Sequence, residues 1–443
     1  MKKLILAHKV LSTFLRIKFP LIRSRGDLAL YHERKLKNLI NFLKDNSPYY
    51  QEALKDSHTN SLAELPIINK KIMVSEFNRI NTVGLDRDEC INLAINNEKS
   101  RDFSSQLKGF TVGLSSGTSG HRGLFVAGDE ERAIFITYMV LKTLGDSLLK
   151  PHRVGYFLRS DSKLYKTDKD QKIKFKFFDP IIPLEEHIAS LNEFAPTHLY
   201  APPSILRSLS KFAKDGSLAI KPNRMVSIAE VLDPLDEKII KENFRLDVLH
   251  QIYQCTEGLM GQTCPLGTIH LNEDLLIVEK EWLDDKKTKF NPVITDLYRK
   301  TQPHVRYRLN DVLTIKQGGC ACGSPFLAIE QVEGRCDDIF YFKSNSNDSK
   351  VRVFSDFIRR TILFSSPEIL EYQIIQKSID HCHLHLKCSS DVKIAFSKIE
   401  KEFEKLSLDF GFVKPKLTFD ETFEELGLKK LRRVVREFQF SEF

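Results

Sequence analysis

The alternation of short apolar segments with amphipathic segments between residues 153 and 254 constrains the fold more than any other feature of this sequence. The apolar segments have the length of buried strands and cover residues 154–158, 197–201, 225–228 and 248–253. Pro202-Pro203-Ser204 and Asp233-Pro234 follow two of them and are typical of the first turn of a helix. This order predicts an α/β domain with parallel strands, whose ligand site lies at the carboxyl ends of those strands.

Residues 114–123 read Leu-Ser-Ser-Gly-Thr-Ser-Gly-His-Arg-Gly and form a candidate ligand-binding loop. Glycines among small hydroxyl residues give a backbone that can curl, so that N–H and hydroxyl groups face an anion. Strands are predicted at 109–114 and 124–127, and a helix from Asp129 to about Lys142. The stretch is not a Walker A loop, because no Gly-Lys-Ser/Thr follows its first glycine at the required distance. A surface turn is the alternative.

Length and composition indicate a folded protein with more than one domain. The chain has 443 residues, of which 42% are hydrophobic and 10% aromatic, enough for the cores of a large and a smaller domain. A charged break at 334–338 precedes a compact series of helices and strands. We therefore predict a large α/β domain over 1–334, of which 1–90 is mainly helical, and a small α+β domain over 335–443.

Charge and cysteine content exclude several classes of protein. The net charge of +8 is spread along the chain, which suits an anionic ligand and does not indicate nucleic-acid binding. Charged residues interrupt the apolar run of the first 20 positions, so neither a secretory signal nor a membrane span fits, and a basic amphipathic helix remains. Such a helix packs on its own domain or rests on an anionic membrane; we expect the former. Eight cysteines without a signal peptide predict a reducing compartment, and hence a cytoplasmic protein.

Two further stretches combine residue types that bind nucleotides. Residues 253–257, Tyr-Gln-Cys-Thr-Glu, end a predicted strand, where an aromatic ring can face a base, a hydroxyl can contact phosphate and a carboxylate can hold Mg²⁺. In residues 303–311, alternation places Arg306 and Arg308 on one strand face and Asp311 just after the strand, where its carboxylate can accept ribose hydroxyls. An ordinary strand end and a solvated basic strand are the respective alternatives.

These stretches occur in an order and approximate spacing that resembles the adenylate-forming superfamily of acyl-CoA synthetases and peptide-synthetase adenylation domains. Within it, the sequence is most similar to the branch of phenylacetate-CoA ligase and coenzyme F390 synthetase. The resemblance covers roughly residues 30–440 and rests on these motifs: Ser115 to Gly123, Tyr253-x-x-Thr256-Glu257, Tyr307-Arg308-x-x-Asp311, Gly334-Arg335-x-Asp337-Asp338 and Lys430-x-x-Arg433.

The resemblance implies a large adenylate-binding domain, a small mobile C-terminal domain and a role for each matched residue. Thr256 would contact the α-phosphate of ATP, Glu257 would bind Mg²⁺, and Lys430 would bridge the attacking carboxylate and the nucleotide oxygens. Arg335, counted with these catalytic residues, and Asp337 would lie at the hinge of the small domain. The remaining nucleotide-binding residues would be Ser115, Ser116, Gly117, Thr118, Ser119 and Gly120 at the β- and γ-phosphates, Ala229, Glu230 and Tyr253 at adenine, and Asp311 at the ribose.

The implied activity is ATP-dependent activation of a carboxylic acid, possible substrates including aryl acids. Acyl-AMP and pyrophosphate form first, and the acyl group then passes to CoA or another thiol or amine. AMP transfer to a hydroxyl, as in F390 synthetase, and a catalytically inactive nucleotide-binding scaffold are alternatives; a homodimer is left open. Arg122 in place of lysine, Gln254 in place of glycine, and Leu309-Asn310 in place of Thr-Gly depart from the family pattern. None of these departures removes a charge that the first half-reaction requires.

Cysteine and histidine spacing suggests a structural metal site. Cys264, His270, Cys320 and Cys322 lie in turns rich in glycine and proline and form a Cys₃His set suited to Zn²⁺, with reduced, buried side chains as the alternative. Similar sets occur in the phenylacetate-CoA ligase branch. Residues 381–388, His-Cys-His-Leu-His-Leu-Lys-Cys, alternate as a strand with histidines on one face. We interpret that stretch as a half-buried strand, because no second ligand set is near in sequence.

Overall fold

The computed structural model describes residues 10–15, 22–55, 61–100, 102, 105–115, 122–144, 150–158, 172–423 and 432–438. The chain divides into a larger unit, Met1–Leu309 with Ile315–Gln331, and a smaller unit, Asn310–Thr314 with Val332–Phe443. In these described ranges we find no helix with the length and apolar character needed to cross a bilayer.

Helices dominate the N-terminal part of the larger unit. Ser24 and Asp27 form a reciprocal capping box at the start of the first one, which satisfies backbone N–H groups that would otherwise lack partners. The Asn69 side chain accepts from the N–H of Ile72 and starts another helix in the same way. The helices are α1 (Arg25–Asn46), α2 (Pro48–Ala53), α3 (Lys70–Ser75), α4 (Phe77–Ile80) and α5 (Arg87–Ser100), with a 3₁₀ turn at Leu62–Glu64.

The hydroxyl-rich stretch joins two antiparallel strands, β1 (Thr111–Leu114) and β2 (Leu124–Ala127). Helix α6 (Asp129–Leu144) follows, and the Glu131 carboxylate accepts from the N–H of Gly128 at its start. The predicted strands on both sides of the loop and the predicted helix are confirmed.

A parallel sheet forms the centre of the larger unit. Its strands follow the order β7-β6-β5-β3-β4, and each pair of neighbours is parallel. Leu206 and Leu209 on one helix and Ile240 on the next are fully buried against the sheet. The elements are β3 (His152–Phe157), β4 (Ile173–Phe178), α7 (Leu184–Phe194), β5 (His198–Ala201), α8 (Pro203–Asp215), β6 (Arg224–Ser227), α9 (Pro234–Phe244) and β7 (His250–Cys255). The predicted α/β class and parallel strands are confirmed.

Antiparallel strands follow β7. Strand β8 pairs with β7 and β9, β9 pairs with the first residues of β14, and β11 pairs with β10 and β12. Arg306 and Arg308 form ion pairs with Glu279 and Glu281, so their charges are paired within the protein rather than solvated as in the predicted alternative. The strands are β8 (Gly258–Thr263), β9 (Ile269–Leu271), β10 (Leu276–Trp282), β11 (Lys289–Asp296), β12 (Tyr307–Arg308), β13 (Asp311–Ile315) and β14 (Ala328–Arg335).

One local expectation is wrong. The strand is shorter than expected: Arg306 lies outside it, and Asp311, three positions after Arg308, is the first residue of the next strand, β13. The reason is that Arg306 has a positive φ of 47° and Leu309 N–H turns to the Pro292 carbonyl, which confines β12 to Tyr307–Arg308.

The smaller unit is α+β. Its main sheet has the order β19-β18-β17-β20, in which β17 and β18 are antiparallel and the outer strands join in parallel. The elements are β15 (Phe340–Lys343), β16 (Lys350–Val353), α10 (Ser355–Ser365), β17 (Ile369–Ser378), β18 (His381–Cys388), α11 (Val392–Phe410), β19 (Lys416–Asp420) and β20 (Val434–Arg436). The boundary at 334 and the mobility of 335–443 stay predictions.

Candidate active site

The turn at Thr256-Glu257 joins β7 to β8 at the carboxyl edge of the parallel sheet. Cys255 pairs with Gly258, so only Thr256 and Glu257 lie between the paired strands. Gly258 has a φ of 150°, a conformation that a residue with a Cβ rarely adopts. A Cβ added at this position would lie 3.5 Å from Oδ2 of Asp296. Glycine at 258 therefore allows this tight turn, which presents a hydroxyl and a carboxylate at a strand end.

Arg299 holds the Thr256-Glu257 turn in place through hydrogen bonds to its backbone. Its Nη1 donates to the carbonyl oxygens of Thr256 and Glu257 at 3.0 and 2.8 Å, and its side chain is buried. The same guanidinium donates through Nη2 to Oε1 of Gln302 at 3.2 Å. A buried cation that donates to two successive carbonyls fixes the direction in which the Glu257 side chain leaves the turn.

Gln302 links the turn to the hairpin of β1 and β2, which carries the hydroxyl-rich loop. Its Oε1 accepts from Val126 N–H at 2.9 Å, and its Nε2 donates to the Leu124 carbonyl at 3.0 Å. Both bonds are buried and reach strand β2, directly after the candidate phosphate loop. Residues 299–302 thus bring two motifs that lie more than 120 positions apart in the sequence to one region of the larger unit.

Tyr307 orients the Glu257 carboxylate. Its buried phenol donates to Oε1 of Glu257 at 2.9 Å. Burial, and next the negative charge of Glu257, raise the pKa of Tyr307 well above its ordinary value, so the phenol stays protonated and donates. Among the described residues, no donor reaches the second carboxylate oxygen, which can therefore serve as a metal ligand.

Neighbouring strands place other predicted residues at the same edge. Ala229 and Glu230 follow β6, which is next to β7, and Ala229 has a positive φ of 67°. Oε2 of Glu230 accepts from Ser204 N–H at 3.3 Å, at the start of α8 after β5. The buried Tyr253 lies within β7 itself. Carboxyl ends of parallel neighbours share one edge of a sheet, so Ala229-Glu230 and Thr256-Glu257 lie along it.

The described ends of the hydroxyl-rich loop close on each other. Ser115 N–H donates to the Gly123 carbonyl at 2.7 Å, and Gly123 N–H donates to Ser115 Oγ at 2.6 Å. Arg122 donates to both carboxylate oxygens of Glu98 and to the Ser115 carbonyl, so its positive charge is paired with Glu98. The predicted phosphate-binding residues between these ends lie outside the described residues: Ser116, Gly117, Thr118, Ser119 and Gly120.

Lys70 reaches the base of this loop. A Cβ placed on Gly123 would lie 3.4 Å from Cε of Lys70, which is the first residue of α3. No sequence motif marks Lys70, Arg299 or Gln302 as site residues, and the resemblance assigns no role to the Tyr307 phenol. Their partners are distant in sequence, and only the fold identifies them.

The other predicted residues belong to the smaller unit. Asp311 begins β13 there, and Arg335 ends β14. Asp337 accepts from Asn310 Nδ2 at 2.5 Å, while the Cys336 N–H donates to the Asn310 carbonyl at 3.2 Å. Lys430 lies outside the described residues. Their predicted roles stay predictions.

Cys264, His270, Cys320 and Cys322 converge in the larger unit, with ligand atoms within 4.8 Å of one another. Cys264 Sγ lies 3.8 Å from Cys320 Sγ, and Cys322 Sγ lies 3.3 Å from His270 Nε2. His270 Nδ1 lies 3.0 Å from the Phe326 carbonyl, to which it can donate, and this leaves Nε2 free to bind an ion. The donor set and its spacing fit a tetrahedral zinc ion.

Comparisons with known proteins extend these observations. No protein-family model matches the sequence. Protein CapK of Staphylococcus aureus is 20% identical over 391 residues, 84% of this chain and 80% of that protein. A 2-hydroxyisobutyryl-CoA ligase, solved in the postadenylation state with R3-HIB-AMP, matches with a TM-score of 0.67 at 14% identity, covering 91% of this chain and 88% of the other.

The chain has the fold of the adenylate-forming ligases. An anthranilate CoA ligase in complex with anthranoyl-AMP also matches, with a TM-score of 0.50, 13% identity and coverage of 72% of this chain and 66% of that one. The predicted resemblance to the adenylate-forming superfamily is thus confirmed in fold. The branch of that superfamily, the substrate and the residue roles are matters for a proposal.

Proposed function

We propose that this protein is an ATP-dependent adenylate-forming ligase that activates a carboxylic acid as acyl-AMP and passes the acyl group to CoA or another thiol or amine. The observation that carries the proposal is the segment 299–302, which holds the Thr256-Glu257 turn through Arg299 and the hairpin of the hydroxyl-rich loop through Gln302. The solved relatives that bind an acyl-AMP or anthranoyl-AMP and share this fold support the same activity.

In the first half-reaction, a carboxylate oxygen of the acid attacks the α-phosphorus of ATP, and the bond to pyrophosphate breaks. Aligning two anions and neutralising the charge on the phosphate oxygens supplies most of the rate gain. We assign the β- and γ-phosphates to Ser115 and residues 116–120, and the α-phosphate to the Thr256 hydroxyl. We assign adenine to Tyr253, Ala229 and Glu230, the ribose hydroxyls to Asp311, and the carboxylate to Lys430.

Glu257 fits a magnesium ion. Tyr307 holds one carboxylate oxygen, and the other faces no donor among the described residues, as expected for a ligand of a cation that prefers one or two carboxylates plus phosphate oxygens. When bound there with ATP, Mg²⁺ would neutralise phosphate charge. Arg299 and Tyr307 would keep the Glu257 side chain in the orientation that this requires.

In the second half-reaction, the acceptor thiol or amine would attack the acyl carbonyl and release AMP. We propose that residues 335–443 form a mobile domain hinged near Arg335 and Asp337, which would bring Lys430 to the first step and withdraw it for the second. A phenylacetate-CoA ligase-like preference for aryl acids is the finer form of this proposal, and it rests on the sequence motifs.

We also propose that the Cys₃His set binds a structural zinc ion. All four ligand positions are filled by protein, and the ion would join the turn before β9 to the turn before β14. We expect Cys264→Ser and Cys320→Ser each to bind about one zinc ion fewer per chain than the wild type. Retention of the same zinc content by both variants would refute this assignment.

Carboxylate-dependent exchange of labelled pyrophosphate into ATP tests the ligase activity. A panel of aliphatic and aryl acids, with Mg²⁺ present, should reveal at least one substrate, and adding CoA should then release free AMP. AMP found covalently attached to a hydroxyl product would instead support the F390 synthetase-like reaction. ATP binding without exchange for any acid would support the inactive scaffold and contradict the proposal.

A further inference from the structure

A second set of metal-ligating side chains lies in the smaller unit, outside the proposed active site and the Cys₃His set. His381, His383 and His385 alternate along β18 and share one face. The opposite face presents Cys382, Leu384 and Leu386, which are fully buried. Because the apolar residues occupy the core face, the histidines form a row on the other face of the sheet.

The neighbouring strand completes this row with oxygen atoms. Strand β19 runs parallel to β18, and its register places Thr418 beside His383 and Asp420 beside His385. Residues paired in register on adjacent strands point to the same face, about 5 Å apart. The carboxylate that sequence spacing could not supply to the histidines therefore comes from a residue 35 positions after His385.

The distances suit an ion. Oδ2 of Asp420 lies 3.1 Å from Nε2 of His383, and Oδ1 lies 2.7 Å from Nδ1 of His385. One ligand atom from each of the three residues lies within 4.8 Å of the ligand atoms of the other two. The histidine side chains are 20–21% exposed and the Asp420 side chain 40%, so the set is accessible to an ion from solvent.

Additional hydrogen bonds orient the three side chains. Oγ1 of Thr418 lies 2.8 Å from Nδ1 of His383, which leaves Nε2 directed at Asp420. The backbone N–H and the hydroxyl of Thr422 both donate to Oδ1 of Asp420, at 3.0 and 2.8 Å. Supporting contacts of this kind fix ligand orientation in protein metal sites and affect affinity 10- to 100-fold.

We propose that His383, His385 and Asp420 bind a divalent transition-metal ion of the zinc class. Imidazole nitrogens with one carboxylate suit Zn²⁺, Co²⁺, Ni²⁺ or Fe²⁺ rather than Mg²⁺ or Ca²⁺. With three protein ligands, the ion keeps at least one coordination position for water or another small ligand, unlike the closed Cys₃His set. The ion would hold the end of β19 against β18.

Cobalt substitution in the full chain separates the two sets. Co²⁺ bound to thiolates gives intense charge-transfer absorption, whereas a nitrogen and oxygen site gives only weak visible bands. After removal of bound metal with a chelator, we expect the wild-type chain to take up a second equivalent of Co²⁺ without further charge-transfer absorption. Asp420→Asn and His385→Gln should lose that equivalent, with affinity at least 100-fold lower.

His381→Gln is the matched control, because His381 lies on the same face and contacts Thr418 but is not in the ligand set. It should keep the second equivalent. Equal binding by wild type and Asp420→Asn, or equal loss in His381→Gln, would overturn the proposal. A measurement on the wild type avoids misfolded variants: Zn²⁺ should protect His383 and His385, but not His381, from diethyl pyrocarbonate. Equal modification of His383 and His385 with and without Zn²⁺ would also overturn it.

Discussion

The two edges of the parallel sheet differ in the chemistry of their polar residues. At the carboxyl edge, the turns after β6 and β7 carry Glu230 and Glu257, and Glu257 remains partly exposed. At the amino edge, β3, β5, β6 and β7 begin with His152, His198, Arg224 and His250. Every strand runs in the same direction, so each edge collects one type of strand end.

The amino-edge residues are packed mainly against one another. The His152 and His198 rings lie 4.9 Å apart, Arg224 Nη2 lies 3.1 Å from His250 Nδ1, and the latter lies 2.9 Å from Thr263 Oγ1. Burial first, then the positive charge of neighbouring groups, lowers the pKa of His198 and of His250 to about 4. At the amino edge, the imidazoles of His198 and His250 are therefore neutral near pH 7 and lie beside Arg224, whereas the carboxyl edge offers acceptors to a cation. This difference predicts that substitutions at the carboxyl edge change catalysis and those at the amino edge change stability.

Glu257→Gln should have the largest effect on catalysis. The substitution keeps the size of the side chain but removes the charge proposed to hold Mg²⁺, and we expect pyrophosphate exchange to fall about 10³-fold, or ~4 kcal/mol. Glu281→Gln, which removes a carboxylate from an ion pair with Arg308, should change exchange less than threefold. Equal exchange rates for Glu257→Gln and wild type would contradict the claim that the carboxyl edge carries the catalytic residues.

Acidification should affect the amino edge. The folded pKa values of His198 and His250 lie below the unfolded value of 6.5, so the unfolded chain binds more protons between pH 6.5 and pH 4. The stabilisation is complete above pH 6.5 and is lost as the pH falls through this window, by up to about 3 kcal/mol for each imidazole. Thermal unfolding midpoints across this range should fall less steeply in His198→Gln/His250→Gln than in wild type.

His381→Gln, in the smaller unit, is the control for that measurement and should keep the wild-type pH dependence. If the double variant also keeps it, the imidazoles of the amino edge are not the groups that titrate.

Arg299→Met should affect both stability and catalysis, because the arginine is buried and donates to the turn that carries Glu257. Losing its bonds to the Thr256 and Glu257 carbonyls should lower the free energy of unfolding by about 2 to 3 kcal/mol. It should also lower the rate of pyrophosphate exchange about tenfold or more, because the Glu257 carboxylate would no longer be held in position. Arg308→Met, at a partly exposed ion pair, should cost less than about 1 kcal/mol. Urea unfolding of both variants measures the difference; equal costs would mean that the buried position of Arg299 is unimportant.

The sequence predicts most, but not all, strands of the parallel sheet. Periodicity places β3, β5, β6 and β7 to within two residues, because each is a short apolar run bounded by turn residues. Strand β4, Ile-Lys-Phe-Lys-Phe-Phe, is not among the predicted strands, although its alternation of apolar and charged residues is typical of a half-buried strand.

The candidate sites show the same limit. The Thr256-Glu257 turn is predicted because its residues are adjacent in sequence, and it lies where expected. Arg299 and Gln302 are missed because their partners lie about 40 and 180 positions away, and Asp420 is missed as a partner of His385 for the same reason. Sequence pattern identifies residues that one strand or turn brings together, whereas register and packing bring together the rest.

Tyr307→Phe should give the smallest effect and sharpen the comparison most. The substitution removes the 2.9 Å bond to Oε1 of Glu257 but leaves the carboxylate charge and the ring packing in place. We therefore expect exchange to fall by tenfold or less, about 1 kcal/mol, mainly as a higher Mg²⁺ concentration for half-maximal exchange. A loss as large as that in Glu257→Gln would show that the phenol itself contacts substrate, because orientation of a carboxylate that keeps its charge cannot account for a 10³-fold change.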